Sequence, residues 1–305
     1  MNKVLLQSLC LMIGFSAYAQ DGETADTTYW RKSFKVGLNF NQASFSDEWT
    51  GGGVNSIGLS SYLNYKANYR RGVHTWDNEV DFGYGVVQNQ DQNARKALDR
   101  MYFDTKYGRR LSEKWNLFTS LSFLSQFAIG YSFDEDANGA ETRTKISNLF
   151  APAFVTSAIG FEYKPVDYFS LRIAPMAPRF TIVADDDLAS EASDDDPTKG
   201  QFGVDLGDNV RSEWSAFQLQ ADFDQDIAEN LNLKWKYLLF INYEDLELDR
   251  WDHRLDLTLS AAVNSFLNVS LGAIVIYDFD QVDEVQLSQQ LTLGLAYAWK
   301  NFKGK

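Results

Sequence analysis

Cysteine is almost missing from this chain of 305 residues; the single one, Cys10, lies in an N-terminal apolar run. One thiol forms no intrachain disulfide, and with only His74 and His253 besides there is no Cys/His set for zinc. Proline is scarce, five in all, which leaves long stretches free to hydrogen-bond through every backbone N–H. After the N-terminal run no stretch approaches 18 consecutive apolar residues, so membrane-spanning helices are excluded. Positive charge is also short, 28 Lys and Arg against 42 Asp and Glu, which argues against a nucleic-acid partner. That balance suits a wet, anionic surface exposed to divalent cations. Aromatic residues are abundant at 15%, and strand is the natural reading of a chain rich in them.

The N-terminus reads as an export leader. Lys3 gives a positive start, Val4 to Ala17 is short and apolar, and Ala17-Tyr18-Ala19 puts small residues where a signal peptidase reads. A signal peptide over 1–19, cleaved before Gln20, is expected. Cys10 is too far upstream of that cut to become a lipidated N-terminal cysteine. The leader carries one lysine and no acid, so the net charge goes from −14 to −15 on its removal.

Period two dominates the chain from Ser33 onward. Phe34, Val36, Leu38 and Phe40 alternate with Lys35, Gly37, Asn39 and Asn41. The pattern returns at Ile57 to Tyr69 and at Trp76 to Val86, where Asp77, Glu79, Asp81, Gly83 and Gly85 share the polar face. Nine further segments read alike: about 99–110, 115–131, 147–164, 169–182, 211–225, 231–244, 251–264, 267–279 and 286–299. Pro175 and Pro178 mark a bulge or a strand end within 169–182. Alternation means one apolar and one polar face. Soluble strands average about five or six residues, whereas most of these run about 11 to 17.

Twelve is an even number, as expected for a bacterial outer-membrane barrel. The connections alternate too: about 42–54, 87–98, 132–146, 183–210, 245–250 and 280–285 on one side, against tight ones at 70–74, 111–114, 165–168, 226–230 and 265–266. Short periplasmic turns and longer outside loops produce that asymmetry, and both termini are then periplasmic. Tyr69, Trp76, Tyr107, Trp115, Tyr163, Phe169, Phe223 and Trp299 form an interfacial row at the tight-turn side; Phe40, Tyr131, Tyr243, Trp251 and Tyr277 form a second near the loops. The expected fold is an all-β, transmembrane, antiparallel up-and-down barrel of 12 strands over 33–302, preceded by a short periplasmic segment 20–32. Outer-membrane lipid, lipopolysaccharide and the barrel-assembly machinery are the expected partners.

The last strand, Leu291 to Trp299, looks like a terminal insertion signal: Thr292, Gly294, Tyr297 and Trp299 supply its polar residue, glycine and paired aromatics, with Asn301 to Lys305 extending beyond. Tyr29-Trp30-Arg31-Lys32, Asn39-Phe40-Asn41-Gln42, Trp49 with Gly51 to Ser56, Trp76-Asp77-Asn78, Gly83-Tyr84-Gly85, Lys106-Tyr107-Gly108, Ser147 to Ala153, Thr181-Ile182-Val183, Phe202-Gly203-Val204 and Arg211-Ser212-Glu213 stand in this order. On these residues the mature chain resembles a family of Bacteroidota outer-membrane proteins catalogued as domain of unknown function 3078. The resemblance implies the barrel and its address, but no activity, cofactor or site residues.

Catalytic chemistry is hard to assemble. An outer-membrane phospholipase needs a His–Ser pair with an orienting partner; His253 is on the apolar face with Leu255 two residues on, and His74 is in a tight turn. No enzyme activity and no cofactor is expected. The loop 183–210 is acid-rich, and Asp185, Asp186, Asp187, Asp194, Asp195 and Asp196 could offer oxygens to Ca²⁺ or Mg²⁺. No Asp-x-Asp-x-Asp-Gly spacing occurs, so the expectation there is a solvated, self-repelling loop.

The inward faces are the candidate site. Asp77, Glu79, Asp81, Arg100, Asp104, Lys106, Glu162, Lys234, Lys236, Arg254 and Asp256 are expected to line the lumen. Pairing Val87 with Leu98 sets Glu79 opposite Lys106, Gly83 opposite Tyr102 and Gly85 opposite Arg100. Twelve strands fall between a filled barrel and an open pore. Inward bulk from Phe118, Leu124, Phe154, Trp214 and Phe240 favours a narrow or occluded lumen. A narrow solute channel or transporter is the first functional expectation, and a non-conducting, loop-presenting barrel the second.

Overall fold

A computed structural model describes residues 28–46, 54–136, 141–192 and 198–302. The leader with Cys10, and Asp194, Asp195 and Asp196, lie outside the described residues. The strands in the first half are β1 (Trp30–Ala43), β2 (Ser56–Arg71), β3 (His74–Asn89), β4 (Arg95–Arg110), β5 (Trp115–Ser125), β6 (Gly130–Glu135), β7 (Glu141–Ser147) and β8 (Ala153–Val166). Those in the second half are β9 (Phe169–Met176), β10 (Arg179–Ile182), β11 (Val210–Glu213), β12 (Ala216–Ala228), β13 (Leu231–Asn242), β14 (Asp252–Ala262), β15 (Leu267–Asp278) and β16 (Val282–Lys300).

Twelve of them close into one antiparallel ring, in the order β1, β2, β3, β4, β5, β8, β9, β12, β13, β14, β15, β16 and back to β1. The seam joins Phe34 to Trp299 and Val36 to Tyr297. Large apolar side chains such as Leu38, Phe82, Phe103, Leu121, Phe161 and Leu293 are exposed around the outside. Water would not tolerate a belt of that extent on a monomer, whereas lipid covers it at no cost. Inside, small residues let bulky ones fit: a Cβ on Gly37 would run into the Tyr62 ring from β2.

The tight turns 72–73, 111–114, 167–168, 229–230 and 263–266 share one rim with both strand termini, Trp30 and Lys300. Rings gather there. Trp30 lies 5.3 Å from Tyr69 and 5.9 Å from Trp76, Trp115 lies 4.9 Å from Tyr163, and Phe223 stacks on Trp235 at 5.8 Å.

Several boundaries differ from the alternation. β1 begins at Trp30, not 33, so the segment before it is shorter. The stretch 115–131 breaks at Ser125, and Tyr131 sits in a separate hairpin, β6–β7, instead of the barrel wall. The stretch 147–164 enters the wall only at Ala153. Loop 87–98 shrinks to 90–94, and 280–285 to 279–281. The stretch 169–182 is interrupted between β9 and β10, because Pro175 and Pro178 carry no N–H for the ladder. The wall stays sealed there: Ala177 N–H donates to Ala216 at 2.8 Å, and Ser157 N–H to Pro178 at 3.0 Å. Opposite this break, Trp214 and Ser215 stand between β11 and β12 as extra residues. They shift the phase, so Trp214 faces outward against Phe180 and does not fill the lumen.

Candidate functional site

Alternation fixes which face a side chain takes, and the ring order decides what it meets. β4 and β14 are six steps apart around the ring in either direction, as are β3 and β13, and β2 and β12. Charged side chains nevertheless bridge each of these diametric pairs. Arg100 on β4 reaches Asp256 on β14 at 3.3 Å. Glu79 on β3 lies 3.7 Å from both Lys234 and Lys236 on β13. Lys66 on β2 lies 3.9 Å from Asp224 on β12 and 3.5 Å from neighbouring Glu79. The lumen is thus crossed at mid-height by side chains from opposite walls.

A second set lies along one wall. Lys106 of β4 is held between Asp77 of β3, at 3.2 Å, and Glu162 of β8. Arg172 of β9 reaches Asp104 at 3.2 Å and Glu162 at 3.9 Å, and Asn116 donates to Glu162 at 2.9 Å. The pairs differ in wetness. Lys106 and Glu162 side chains are 4% and 5% exposed, whereas Lys234 and Asp224 keep 36% and 51%. Lys106 and Glu162 are sealed from water, whereas Lys66–Asp224 is the wettest crossing; the Arg100–Asp256 and Glu79–Lys236 crossings are as enclosed as Asp77.

All eleven lumen candidates lie on the inner face. Asp81 accepts from Asn64 at 3.2 Å, and Arg254 shares Asp256 with Arg100, at 2.9 Å. The hairpin register differs from the expected one by two residues. Lys106 stands opposite Asp77, Glu79 opposite Asp104 and Gly83 opposite Arg100, with a bulge between Gly85 and Val86. The face survives such a shift, but the partner does not. Sequence reasoning missed Lys66, Arg70, Arg172, Arg179, Glu213 and Asp252. Lys66 stands in plain alternation with Tyr65 and Ala67. Arg172 and Arg179 are obscured by the Pro175–Pro178 break.

Above the crossing pairs, toward the long loops, lies a cavity of about 290 Å³. Arg100, Tyr102, Lys236, Arg254 and Asp256 form its floor. Leu98, Leu124, Phe154, Leu238, Ile274 and Ile276 form its middle. Near its roof, Arg179 is saturated by Glu213 at 2.8 Å and Asp252 at 2.6 Å.

Among the described residues of 183–210 the loop is packed, not merely solvated. Val183, Leu188, Ala189 and Val204 bury themselves with Ala151, a core that a count of charges overlooks. Asp185 caps the short helix α1 (Asp186–Ser190), accepting from Leu188 N–H at 3.2 Å. Lys145 donates to Asp185 at 2.8 Å and to Asp187 at 2.7 Å, and Asn148 donates to Asp185 at 2.6 Å. Burial opposes ionisation of Asp185, but these hydrogen bonds outweigh it and hold the carboxyl at about 2. Asn209 donates to Asp186 at 3.2 Å. Among the described residues no group of three or more His, Cys, Asp or Glu could hold a metal.

His253 is hydrogen-bonded to Tyr237 at 2.8 Å, and His74 to Tyr107 at 2.6 Å; neither pairs with a serine. In the terminal strand Thr292 and Gly294 are buried on the inner face, and Tyr297 and Trp299 are exposed on the outer one.

No curated protein matches the chain. Among solved structures it is similar to the translocator domain of autotransporter NalP from Neisseria meningitidis, at TM-score 0.36 and 11% identity, covering 96% of this chain and 95% of that one. It is also similar to an outer membrane channel from Pseudomonas putida F1, at TM-score 0.40 and 9% identity, covering 92% and 100%. For the NanC porin the values are 0.38 and 10%, with 87% and 98% covered. Residues 40–131, from the end of β1 into β6, match the family model described as a protein of unknown function (DUF3078).

Proposed function

We propose that the chain is a bacterial outer-membrane barrel that acts as a narrow solute channel, closed at mid-height by its own side chains. The observation that carries this reading is the makeup of the closure. Among the described residues it consists of ion-paired side chains from opposite walls, with neither a loop nor a helix inserted. The most exposed crossing, Lys66–Asp224, contributes little, roughly 0–1 kcal/mol, and the more enclosed ones meet at 3.3–3.7 Å with no bidentate geometry. Rotamer changes open the mid-height crossing toward a solute-sized cavity, and a solute passing on to the loop side also parts Arg179 from Asp252 and Arg211 from Asp280.

The membrane address rests on the outer apolar belt and the aromatic rim. In this reading the tight turns and both termini are periplasmic, and the leader commits the chain to export and to the barrel-assembly machinery. Lipopolysaccharide surrounds the loop side, and the source is a member of the Bacteroidota. Single-channel recording of refolded protein in planar bilayers tests the proposal, with discrete openings expected. Sustained silence from protein with normal heat-modifiable migration would favour a loop-presenting barrel, a role the folded acidic loop would suit.

A further inference from the structure

We infer that the cavity above the crossing pairs is a binding site for a small monocarboxylate with an apolar body, held carboxylate-down. This rests on the channel reading only in making that ligand the cargo. The cavity, about 290 Å³, is larger than the apolar cavities of about 150 Å³ that take up benzene. In its middle Leu98, Leu124, Phe154, Leu238, Ile274 and Ile276 outweigh polar neighbours such as Gln218 and Gln220, so an aromatic or branched aliphatic body gains by displacing water from them.

The floor donors are incompletely matched. Arg100 and Arg254 share the single carboxylate of Asp256. The Nε of Arg100 is buried without a hydrogen-bond partner. Lys236 finds Glu79 and Asp222 only at 3.7 and 3.9 Å, and the Tyr102 hydroxyl at 3.4 Å. A ligand carboxylate between Arg100 and Lys236 would satisfy these donors through charge-assisted bonds. The roof has the opposite character. Glu213 and Asp252 already saturate Arg179, and Asp278 adds a further carboxyl. A second anionic group on the ligand would be repelled there, which selects a monoanion and its orientation.

Isothermal titration calorimetry of the full mature chain in lipid nanodiscs tests this with phenylacetate, 2-phenylacetamide and phenethylamine, each of about ten non-hydrogen atoms. Phenylacetate is expected to bind, with the amide weaker by roughly ten-fold or more, as one charge-assisted hydrogen bond is worth. The amine should bind more weakly still. Arg100→Gln should remove that preference, lowering the affinity for phenylacetate by a larger factor than the affinity for the amide. Ile274→Trp, which fills the apolar middle, should lower affinity for both. Equal binding of acid and amide, preference for the amine, no binding of any of the three, or full affinity in Ile274→Trp would overturn the inference. The wild-type panel decides even if Arg100→Gln misfolds. A conducting protein that binds none of the three loses this site and keeps the channel; a silent protein that binds phenylacetate does the reverse.

Discussion

Arg100 and Asp256 meet at 3.3 Å although six strand-to-strand steps separate them along the barrel wall in either direction. They connect opposite sides of the molecule. The pairs Glu79–Lys234, Glu79–Lys236 and Lys66–Asp224 do the same, whereas Lys106 and Glu162 join strands only two steps apart. The first group is placed to close the lumen and the second to brace one wall. Substitutions should separate the two roles.

Lys106 is the test of the brace. It is 3% exposed and sits between the carboxylates of Asp77 and Glu162. Lys106→Met takes from buried Glu162 its nearest cation, leaving it Arg172 at 3.9 Å, and leaves Asp77 with Arg70 alone; it should cost about 3 kcal/mol in urea unfolding of refolded protein. Adding Glu162→Gln should recover much of the loss. Adding Glu79→Gln should recover nothing, because Glu79 stands opposite Asp104. Rescue by Glu79→Gln and not by Glu162→Gln would contradict the register.

Tyr297 and Trp299 close the ring against Val36 and Phe34, and are 62% and 47% exposed on the lipid face. Replacing both with Ser removes two interfacial rings at the closing seam. The amount of heat-modifiable, folded protein in outer-membrane fractions should fall sharply. An unchanged folded yield would show that the assembly signal lies elsewhere.

How far the alternation carries is visible at particular residues. It places Asp77, Glu79 and Lys106 on one face because side chains alternate with period two. It leaves their partners open, since a shift by two residues keeps the face and changes the pair. The bulge between Gly85 and Val86 shows no local signature in the sequence. Trp214 escapes the pattern because residues 214 and 215 break the phase between β11 and β12. The Arg100–Asp256 bridge is out of its reach, because which strands face each other depends on strand number and shear around the whole barrel. The acidic loop misleads for another reason: Val183, Leu188 and Val204 are too far apart in sequence to read as a core.

Asp185 gives the loop a pH signature. Its carboxyl is held at about 2, below the ordinary 3.8. A depressed acid contributes stability that is present above its unfolded value and lost as pH falls through its folded one. Protection of the Leu188 amide, corrected for intrinsic exchange, should hold from neutral pH to about 4 and decline between about 4 and 2. Asp185→Ala should abolish that protection at neutral pH. Protection that persists in Asp185→Ala would mean that the apolar cluster alone orders the helix.

The most direct check of the closure is single-channel conductance of Glu79→Gln/Asp256→Asn beside the wild type, both refolded and both heat-modifiable. The double variant removes the acids that tie β3 to β13 and β14 to β4, and leaves Lys66, Lys234, Lys236, Arg100 and Arg254 in the lumen. It should open more often than the wild type, with larger steps and a preference for anions. A folded double variant that is no more conductive than the wild type, or that favours cations, would contradict a lumen closed by ion pairs between opposite walls.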